Sequence, residues 1–223
     1  MEHDTFDSIL AAKIDHTLLK PDAGESDIIR LCDEARQYGF ASVCINPSWV
    51  RLCASMLKDS PSRVCTVIGF PIGANRTDVK VKETEFAATD GADEFDMVLH
   101  LGRLRDGDFA YVEHDIRQVV QTARAVRDGA VVKVILETAL LDETLIADAC
   151  GIVLDAGADF VKTSTGFSAA GGATVKAVRL MRRVVGDRCG VKASGGIRTR
   201  ETARVMIDAG ADRIGASASI QLL

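Results

Sequence analysis

Two lysines, each placed between an apolar strand core and a loop of small residues, are the main indication of chemistry in this chain. Lys162 lies in the segment GADFVKTSTG, which spans Gly157 to Gly166, and Lys192 lies in GVKASGG, which ends at Gly196. Burying an ammonium ion is costly unless the ion is paired or loses its proton. A lysine desolvated beside another cation is a known route to an amine nucleophile. If the two strands are neighbours, the pair predicts a reactive amine.

Other polar residues stand at the carboxyl ends of predicted strands, where a barrel enzyme carries its active site. The candidates are Asp15, Cys44, Asn46, Asp96, Lys133, Glu137, Lys162, Lys192 and Ser194. The two-residue period of a strand puts Asp96 on the same side as Glu94 and Val98, and puts Lys133 with Ile135 and Glu137. A buried salt-bridge network is the alternative interpretation of these charges. Asp15 and Lys133 fit supporting roles equally well, and Cys44 fits strand packing better than nucleophilic catalysis.

The elements that must hold these residues alternate between helix and strand along the chain. A short amphipathic helix is predicted over about residues 1–12, and eight strands follow, separated by helices. The sequences DGAD at 90–93, DAGAD at 155–159 and DAGAD at 208–212 each end a helix and start a strand, with glycine as the left-handed cap. Such alternation requires parallel pairing. It predicts one compact (β/α)8 barrel over residues 1–223; a doubly wound open sheet is the alternative.

Glycine-rich turns after the last strands indicate a phosphate site. The segment from Ser194 to Thr199 follows the seventh strand and leads into a helix predicted from Arg200 to Ala209, and Gly215-Ala-Ser217 follows the eighth strand. Loops at these positions, with a helix N-terminus, form the usual phosphate site of a barrel enzyme. The predicted phosphate-binding residues are Gly166, Gly195, Gly196, Gly215 and Ser217. Ordinary turn chemistry is the alternative explanation for the glycines.

Composition excludes several classes of partner. The 223 residues are 47% hydrophobic and 26% charged, with a formal net charge of −5. An acidic chain offers no bulk basic surface to nucleic acid or to an anionic membrane, so an anionic substrate needs a local cationic site. No uncharged apolar run approaches the roughly 18–20 residues that a membrane helix requires. The four histidines are dispersed, which predicts neither a metal site nor a metal cofactor.

The cysteines and the amino-terminal residues point to a reducing compartment. Six cysteines show no Cys-x-x-Cys spacing and lie within apolar segments, so they are interpreted as free buried thiols. The chain starts with an acidic stretch and not with a basic segment followed by an apolar run, so no signal peptide is predicted. The expected location is the cytoplasm.

Six segments together resemble the deoxyribose-phosphate aldolase family over about residues 13–218. They are IDHTLLKP at 14–21, VIGFP at 67–71, GADEFD at 91–96, KVILET at 133–138, VKTSTGF at 161–167 and VKASGGIR at 191–198. Single pieces such as Gly-Ala-Asp are common, whereas the combination is highly specific. The chain departs from the family pattern at His100, where asparagine is common, and at Ala218, where a second serine often follows Ser217.

The resemblance implies a class I aldolase that cleaves 2-deoxy-D-ribose 5-phosphate to glyceraldehyde 3-phosphate and acetaldehyde. It implies Lys162 as the Schiff-base lysine and Asp96 and Lys192 as proton-transfer residues. Asp15, Lys133 and Cys44 are expected to support the site, and no cofactor is expected. The expected partners are therefore a sugar phosphate and small aldehydes, and homodimers and homotetramers both stay open. A different sugar-phosphate lyase or transaldolase, and a sugar-phosphate sensor without catalysis, are the competing functions.

Overall fold

A closed parallel barrel of eight strands organises residues 6–223, the part of the chain that the computed structural model describes. The strands follow one another in sequence order, and the eighth pairs back to the first. They are β1 (Ile14–Leu18), β2 (Ser42–Ile45), β3 (Arg63–Ile68), β4 (Glu94–Val98), β5 (Val131–Ile135), β6 (Phe160–Lys162), β7 (Gly190–Ser194) and β8 (Arg213–Ala216). The predicted (β/α)8 architecture is confirmed, and the open doubly wound sheet is excluded because the barrel closes.

Helices connect the strands around the outside of the barrel. They are α1 (Ser8–Ala11), α2 (Glu25–Tyr38), α3 (Val50–Met56), α4 (Thr77–Asp90), α5 (Leu101–Arg105), α6 (Phe109–Val126), α7 (Glu143–Ala156), α8 (Val175–Val185) and α9 (Arg200–Asp208), with short 3-10 turns at Pro47–Trp49, Thr138–Leu140 and Ser219–Leu222. Of the helix predicted over residues 1–12, only Ser8–Ala11 is helical in the described part, and residues 1–5 lie outside it. Within residues 6–223, no helix is both long and apolar enough to cross a membrane.

Helix α5 was not predicted, because five residues are too few to show a periodic pattern. Its first turn is capped by His100, whose Nδ1 accepts a hydrogen bond from the backbone N–H of Arg103 at 3.3 Å. Asparagine is a common N-cap residue, since its side chain also accepts from the first helical N–H groups. The departure at His100 therefore preserves a capping function.

The alternation of each strand separates an apolar exterior from a polar interior. On β4, Phe95 and Met97 are fully buried in the apolar cluster shared with the helices. Glu94 and Asp96, on the other side of the same strand, are also buried, but they bond to side chains inside the barrel. The interior of a barrel of this kind is ordinarily filled by branched apolar residues. Here charged residues replace many of them, and their positions define the site.

The repeated Gly-Ala-Asp motifs tie neighbouring strands together at the amino-terminal end of the barrel. The carboxylates of Asp93, Asp159 and Asp212 accept hydrogen bonds from the backbone N–H groups of Val64, Val132 and Val191, at 3.0, 2.8 and 2.8 Å. Each carboxylate also binds one arginine, namely Arg127, Arg124 or Arg182. The preceding glycines at 91 and 157 have φ angles of 109° and 81°, as the sequence predicts for helix ends. The repeat is therefore a structural device.

Removing one of these carboxylates tests that assignment. Asp159→Ala leaves the N–H of Val132 without its acceptor and should lower the free energy of unfolding by about 1–3 kcal/mol. Arg124→Ala removes a partly exposed ion pair and a hydrogen bond to the carbonyl group of Gly157 at 3.0 Å, and it should cost about 1 kcal/mol or less. Asp155→Ala, an exposed position on the preceding helix, serves as the control. Urea unfolding of the three variants measures the difference, and equal losses in Asp159→Ala and Asp155→Ala would contradict the assignment.

Candidate active site

One carboxylate inside the barrel binds three lysines from three neighbouring strands. Asp96 on β4 accepts a hydrogen bond at Oδ1 from Lys133 on β5, at 2.9 Å. Its Oδ2 accepts from Lys162 on β6 at 2.7 Å and from Lys192 on β7 at 2.6 Å. Lys162 and Lys192 are register partners, so they occupy the same level of adjacent strands. The prediction that the two strand lysines lie together inside the barrel is confirmed.

A second group of charges lies deeper in the barrel. Lys192 Nζ is 2.5 Å from Asp15 Oδ2, and Arg213 Nη1 is 2.5 Å from Asp15 Oδ1. Lys133 Nζ is 2.5 Å from Glu94 Oε2, which also lies 3.2 Å from Arg213. Arg213 is not among the candidates that the sequence indicates, because an arginine at the start of a strand usually reaches solvent. Residue 215 faces the interior, and residue 213 lies two positions before it on the same strand. The two-residue period of a strand could therefore have placed the side chain of Arg213 inside the barrel.

The neighbouring charges set the ionisation of the buried groups. Burial alone raises the pKa of Asp96, but the ammonium groups of Lys133, Lys162 and Lys192 outweigh it and hold that pKa well below its ordinary range. Burial also raises the pKa of Asp15, and the charge of Lys192 reverses the effect, so the carboxyl is ionised. Burial lowers the pKa of Lys192, whereas Asp15 and Asp96 bring it above the ordinary value of lysine. Lys192 is therefore protonated at neutral pH.

Counting these contacts distinguishes Lys162 from the other cations. The interior network holds three carboxylates, those of Asp15, Glu94 and Asp96. Three cations, Lys133, Lys192 and Arg213, bind to this set before Lys162 is counted. Each of these three cations contacts at least two of the carboxylates. Lys162 contacts one of them, that of Asp96, which it shares with Lys133 and Lys192.

A cavity of about 240 Å³ opens above the Lys162 side chain at the carboxyl ends of the strands. Its lining includes Lys162 together with every residue predicted to bind phosphate, which are Gly166, Gly195, Gly196, Gly215 and Ser217. Lys20 and Arg198 also line it, and both are exposed. Among the described residues of this lining, three are cationic and none carries a carboxylate. The cavity thus supplies the local cationic site that an acidic protein needs to bind an anion.

The glycine turn after β7 leads into helix α9. The helix starts at Arg200, as the sequence predicts, and the hydroxyl of Thr199 caps its first turn. The cavity is lined by the turn itself and not by the helix N-terminus. Gly215 has a further structural reason, since a Cβ there would lie 3.0 Å from Ser194 Cβ and 3.1 Å from Lys192 Cε. Absence of that side chain leaves room for Lys192.

Two residues differ from what the sequence suggests, namely Ala218 in its residue type and Glu137 in its position. Ala218 stands where a second serine is expected, but Ser217 is the neighbour that lines the cavity. Strand β5 ends at Ile135, so its alternation does not carry Glu137 into the lysine cluster as predicted. Glu137 instead adopts a φ of 55°, and its carboxylate accepts hydrogen bonds from the N–H, at 3.2 Å, and the hydroxyl of Thr165. It therefore holds the loop that carries Gly166.

The thiol of Cys44 lies inside the barrel, against apolar side chains and within 4.8 Å of a carboxylate oxygen of Asp96. It is fully buried in a small cluster with Leu19, Cys65 and Val67, and Phe70 packs against them. All six cysteines of the chain are buried, and each is a free thiol. The packing interpretation of Cys44 therefore accounts for its surroundings. Cys65, its register partner on β3, was not selected from the sequence, although its Sγ lies 3.3 Å from Asp96 Oδ1.

Comparison with known proteins gives relatives over the whole barrel. The profile of the DeoC/LacD family of aldolases matches residues 9–220. Deoxyribose-phosphate aldolase 1 of Bacillus licheniformis is 57% identical over 215 residues, which cover 96% of this chain and 94% of that protein. The deoxyribose-phosphate aldolase of Thermoanaerobacter sp. is 56% identical, with 96% and 95% covered. The tetrameric deoxyribose phosphate aldolase structure from Aeropyrum pernix has a TM-score of 0.89 at 36% identity and covers 96% of this chain and 89% of its own.

The coupling of the buried charges can be measured with a double-mutant cycle. Lys133→Met leaves Glu94 and Asp96 without their shared cation and should lower the free energy of unfolding by about 3–5 kcal/mol. Adding Glu94→Gln removes one uncompensated carboxylate, so the double variant should be more stable than the sum of the single losses predicts. The exposed pair Lys176 and Glu143, 2.6 Å apart, is the matched control, and its coupling should be much weaker because water screens it. Additive losses at the buried pair would contradict the network.

Proposed function

The chain belongs to the DeoC/LacD family of aldolases, and we propose that it is a deoxyribose-phosphate aldolase. Its reaction is the reversible retro-aldol cleavage of 2-deoxy-D-ribose 5-phosphate to D-glyceraldehyde 3-phosphate and acetaldehyde, through a Schiff base on Lys162. The observation that carries this proposal is the position of Lys162 Nζ, which shares one carboxylate oxygen with Lys192 below a cationic cavity.

The first step is attack of the Lys162 amine on the aldehyde carbon of the open-chain sugar. An imine forms only from a neutral amine, and a free lysine with a pKa near 10.4 is almost wholly protonated at neutral pH. Lys162 must therefore release its proton before it attacks. Its amine contacts one carboxylate, that of Asp96, at 2.7 Å. Water leaves as the protonated imine forms.

The protonated imine then serves as the electron sink for breaking the C2–C3 bond. The bonding electrons move towards the imine nitrogen and leave an enamine, while the 3-hydroxyl loses its proton and becomes the aldehyde of glyceraldehyde 3-phosphate. We assign removal of this proton to Asp96 acting through a water molecule, and we assign Lys192 to proton transfer beside it. Protonation of the enamine at C2 and hydrolysis of the imine release acetaldehyde and restore Lys162. Asp15 and Lys133 support the reaction by fixing Lys192 and Asp96.

The phosphate of the substrate fits the glycine-lined end of the cavity. Gly166, Gly195, Gly196 and Gly215 allow close approach of oxygen atoms to the backbone, and Ser217 adds a hydroxyl group. Lys20 and Arg198 supply positive charge at the rim. A dianion held there places the aldehyde end of the sugar over Lys162, so phosphate binding orients the reacting carbon.

The proposal also includes where the enzyme works and in what assembly. Six free thiols are typical of a reducing compartment, which supports the cytoplasm. The substrates are small molecules, and neither nucleic acid nor membrane is part of the proposed reaction. A homodimer or a homotetramer is the proposed assembly, and the tetrameric relative from Aeropyrum pernix supports the latter.

Replacement of the proposed nucleophile tests the function directly. Lys162→Arg keeps a positive charge but cannot deprotonate to attack a carbonyl group. We expect cleavage of 2-deoxyribose 5-phosphate to fall at least about 10³-fold, measured by release of acetaldehyde and glyceraldehyde 3-phosphate. Circular dichroism and binding of the sugar phosphate establish that the variant is folded.

A wild-type protein that binds the sugar phosphate without releasing either product would support a sensor instead of an aldolase. Turnover at the wild-type rate in Lys162→Arg would remove Lys162 from the nucleophile position. Release of products other than these two aldehydes would favour another sugar-phosphate lyase.

The phosphate position is tested by a pair of variants that differ only in charge. A Cβ on residue 196 has no neighbour within 4 Å, and the φ of 81° strains aspartate and asparagine alike. We expect the KM for 2-deoxyribose 5-phosphate to be at least about tenfold higher in Gly196→Asp than in Gly196→Asn, a difference of about 1.4 kcal/mol. Unphosphorylated 2-deoxyribose should distinguish the two variants little. Equal KM values for the phosphorylated substrate would place the phosphate elsewhere.

A further inference from the structure

Two thiols and a carboxylate form a group of potential metal ligands inside the barrel. Cys44 on β2 and Cys65 on β3 are register partners, and both are buried. Their sulfur atoms and a carboxylate oxygen of Asp96 all lie within 4.8 Å of one another. Neither thiol takes part in the proposed cleavage reaction. The group therefore offers a ligand set that the aldolase chemistry does not explain.

The spacing of these atoms suits a thiophilic divalent cation. Zinc binds thiolate sulfur at about 2.3 Å and carboxylate oxygen at about 2.0–2.2 Å, so tetrahedral geometry separates the two ligand atoms by about 3.5 Å. The thiol of Cys65 donates a hydrogen bond to Asp96 Oδ1 with 3.3 Å between sulfur and oxygen. A cation that replaces this thiol proton needs only small shifts of the two side chains. Cys44 then supplies the second sulfur from the adjacent strand.

The charge of the interior permits this exchange in spite of the neighbouring lysines. Lys133 Nζ lies 3.4 Å from Cys65 Sγ and 2.9 Å from Asp96 Oδ1, so a cation added alone would be repelled. Binding, however, releases the protons of both thiols to solvent. One divalent cation replaces two protons, and the total charge of the interior stays unchanged.

We propose that Cys44, Cys65 and Asp96 form a binding site for a thiophilic divalent cation such as zinc or cadmium, and that occupancy inhibits the enzyme. Asp96 Oδ1 becomes a metal ligand, which weakens the contact with Lys133 and withdraws the carboxylate from proton transfer. The cation is thus an inhibitor and not a cofactor of the reaction. The binding site stands independently of the aldolase function, whereas the inhibition rests on the proposed role of Asp96.

The chain contains a matched control pair of cysteines. Cys32 on α2 and Cys53 on α3 are free thiols buried in the main apolar core, on two helices that contact each other. They are not part of a group of three potential ligands among residues 6–223. Comparing the two pairs therefore distinguishes metal binding by a set of three ligands from the general affinity of thiols for soft metals.

Cadmium is the probe, because its bonds to thiolates give an ultraviolet charge-transfer absorption that does not depend on catalysis. The wild-type protein, Cys44→Ser/Cys65→Ser and Cys32→Ser/Cys53→Ser are titrated with cadmium while absorption, bound metal and residual aldolase activity are followed. We expect one equivalent to bind the wild type and the Cys32→Ser/Cys53→Ser variant with loss of activity, which EDTA restores. Cys44→Ser/Cys65→Ser should bind at least tenfold more weakly, and its own activity should resist cadmium.

Three results would overturn parts of the proposal separately. Absence of the absorption band at one equivalent of cadmium in the wild type would remove the site, whatever the fate of the variants. A band that persists in Cys44→Ser/Cys65→Ser and disappears in Cys32→Ser/Cys53→Ser would assign binding to the other pair. Binding at Cys44 and Cys65 without loss of activity would remove the inhibition alone. If the double variant does not fold, the single variant Cys44→Ala provides the test. It should show half of the thiolate absorption per bound cadmium ion.

Discussion

The interior of this barrel depends on the hydrogen bonds that the carboxylate of Asp96 accepts. Its two oxygens bind three lysines that come from three consecutive strands, at 2.6–2.9 Å. Unpaired ammonium groups at these positions would carry a large desolvation cost, and removing one partner of a buried pair costs several kcal/mol. The strands must therefore close in one register, because a shift of one residue would turn these side chains towards the helices. The same bonds bring Lys162 and Lys192 together.

The pattern of ion pairs connects this constraint to reactivity. Two cations, Lys192 and Arg213, bind the carboxylate of Asp15, and Lys133 lies between Glu94 and Asp96. These groups remain charged because each cation is held by a carboxylate. Lys162 binds the same network through one carboxylate, that of Asp96, and it is the lysine of the network that lines the cavity. The lysine with the fewest carboxylate contacts is therefore the one that faces the substrate.

The sequence predicted the parts of this arrangement that follow from local rules. Strand alternation placed Lys162 and Lys192 inside the barrel, and the order of helices and strands predicted the parallel architecture. Local rules failed where the tertiary structure decides the outcome. Arg213 is directed inwards by Asp15 and Glu94 on other strands, and Glu137 leaves the alternation because β5 ends two residues earlier. Cys65 became relevant only through its contact with a carboxylate 31 positions away in the chain.

Trapping the covalent intermediate tests the central claim, that Lys162 alone among the clustered lysines is the reactive amine. The wild-type protein is incubated with 2-deoxyribose 5-phosphate and reduced with borohydride, and the modified peptide is identified by mass spectrometry. We expect one two-carbon or sugar-phosphate adduct per chain, on Lys162, with Lys133 and Lys192 unmodified because their carboxylate partners keep them protonated. An adduct on either of those lysines, or cleavage that proceeds without any trapped adduct, would contradict this account.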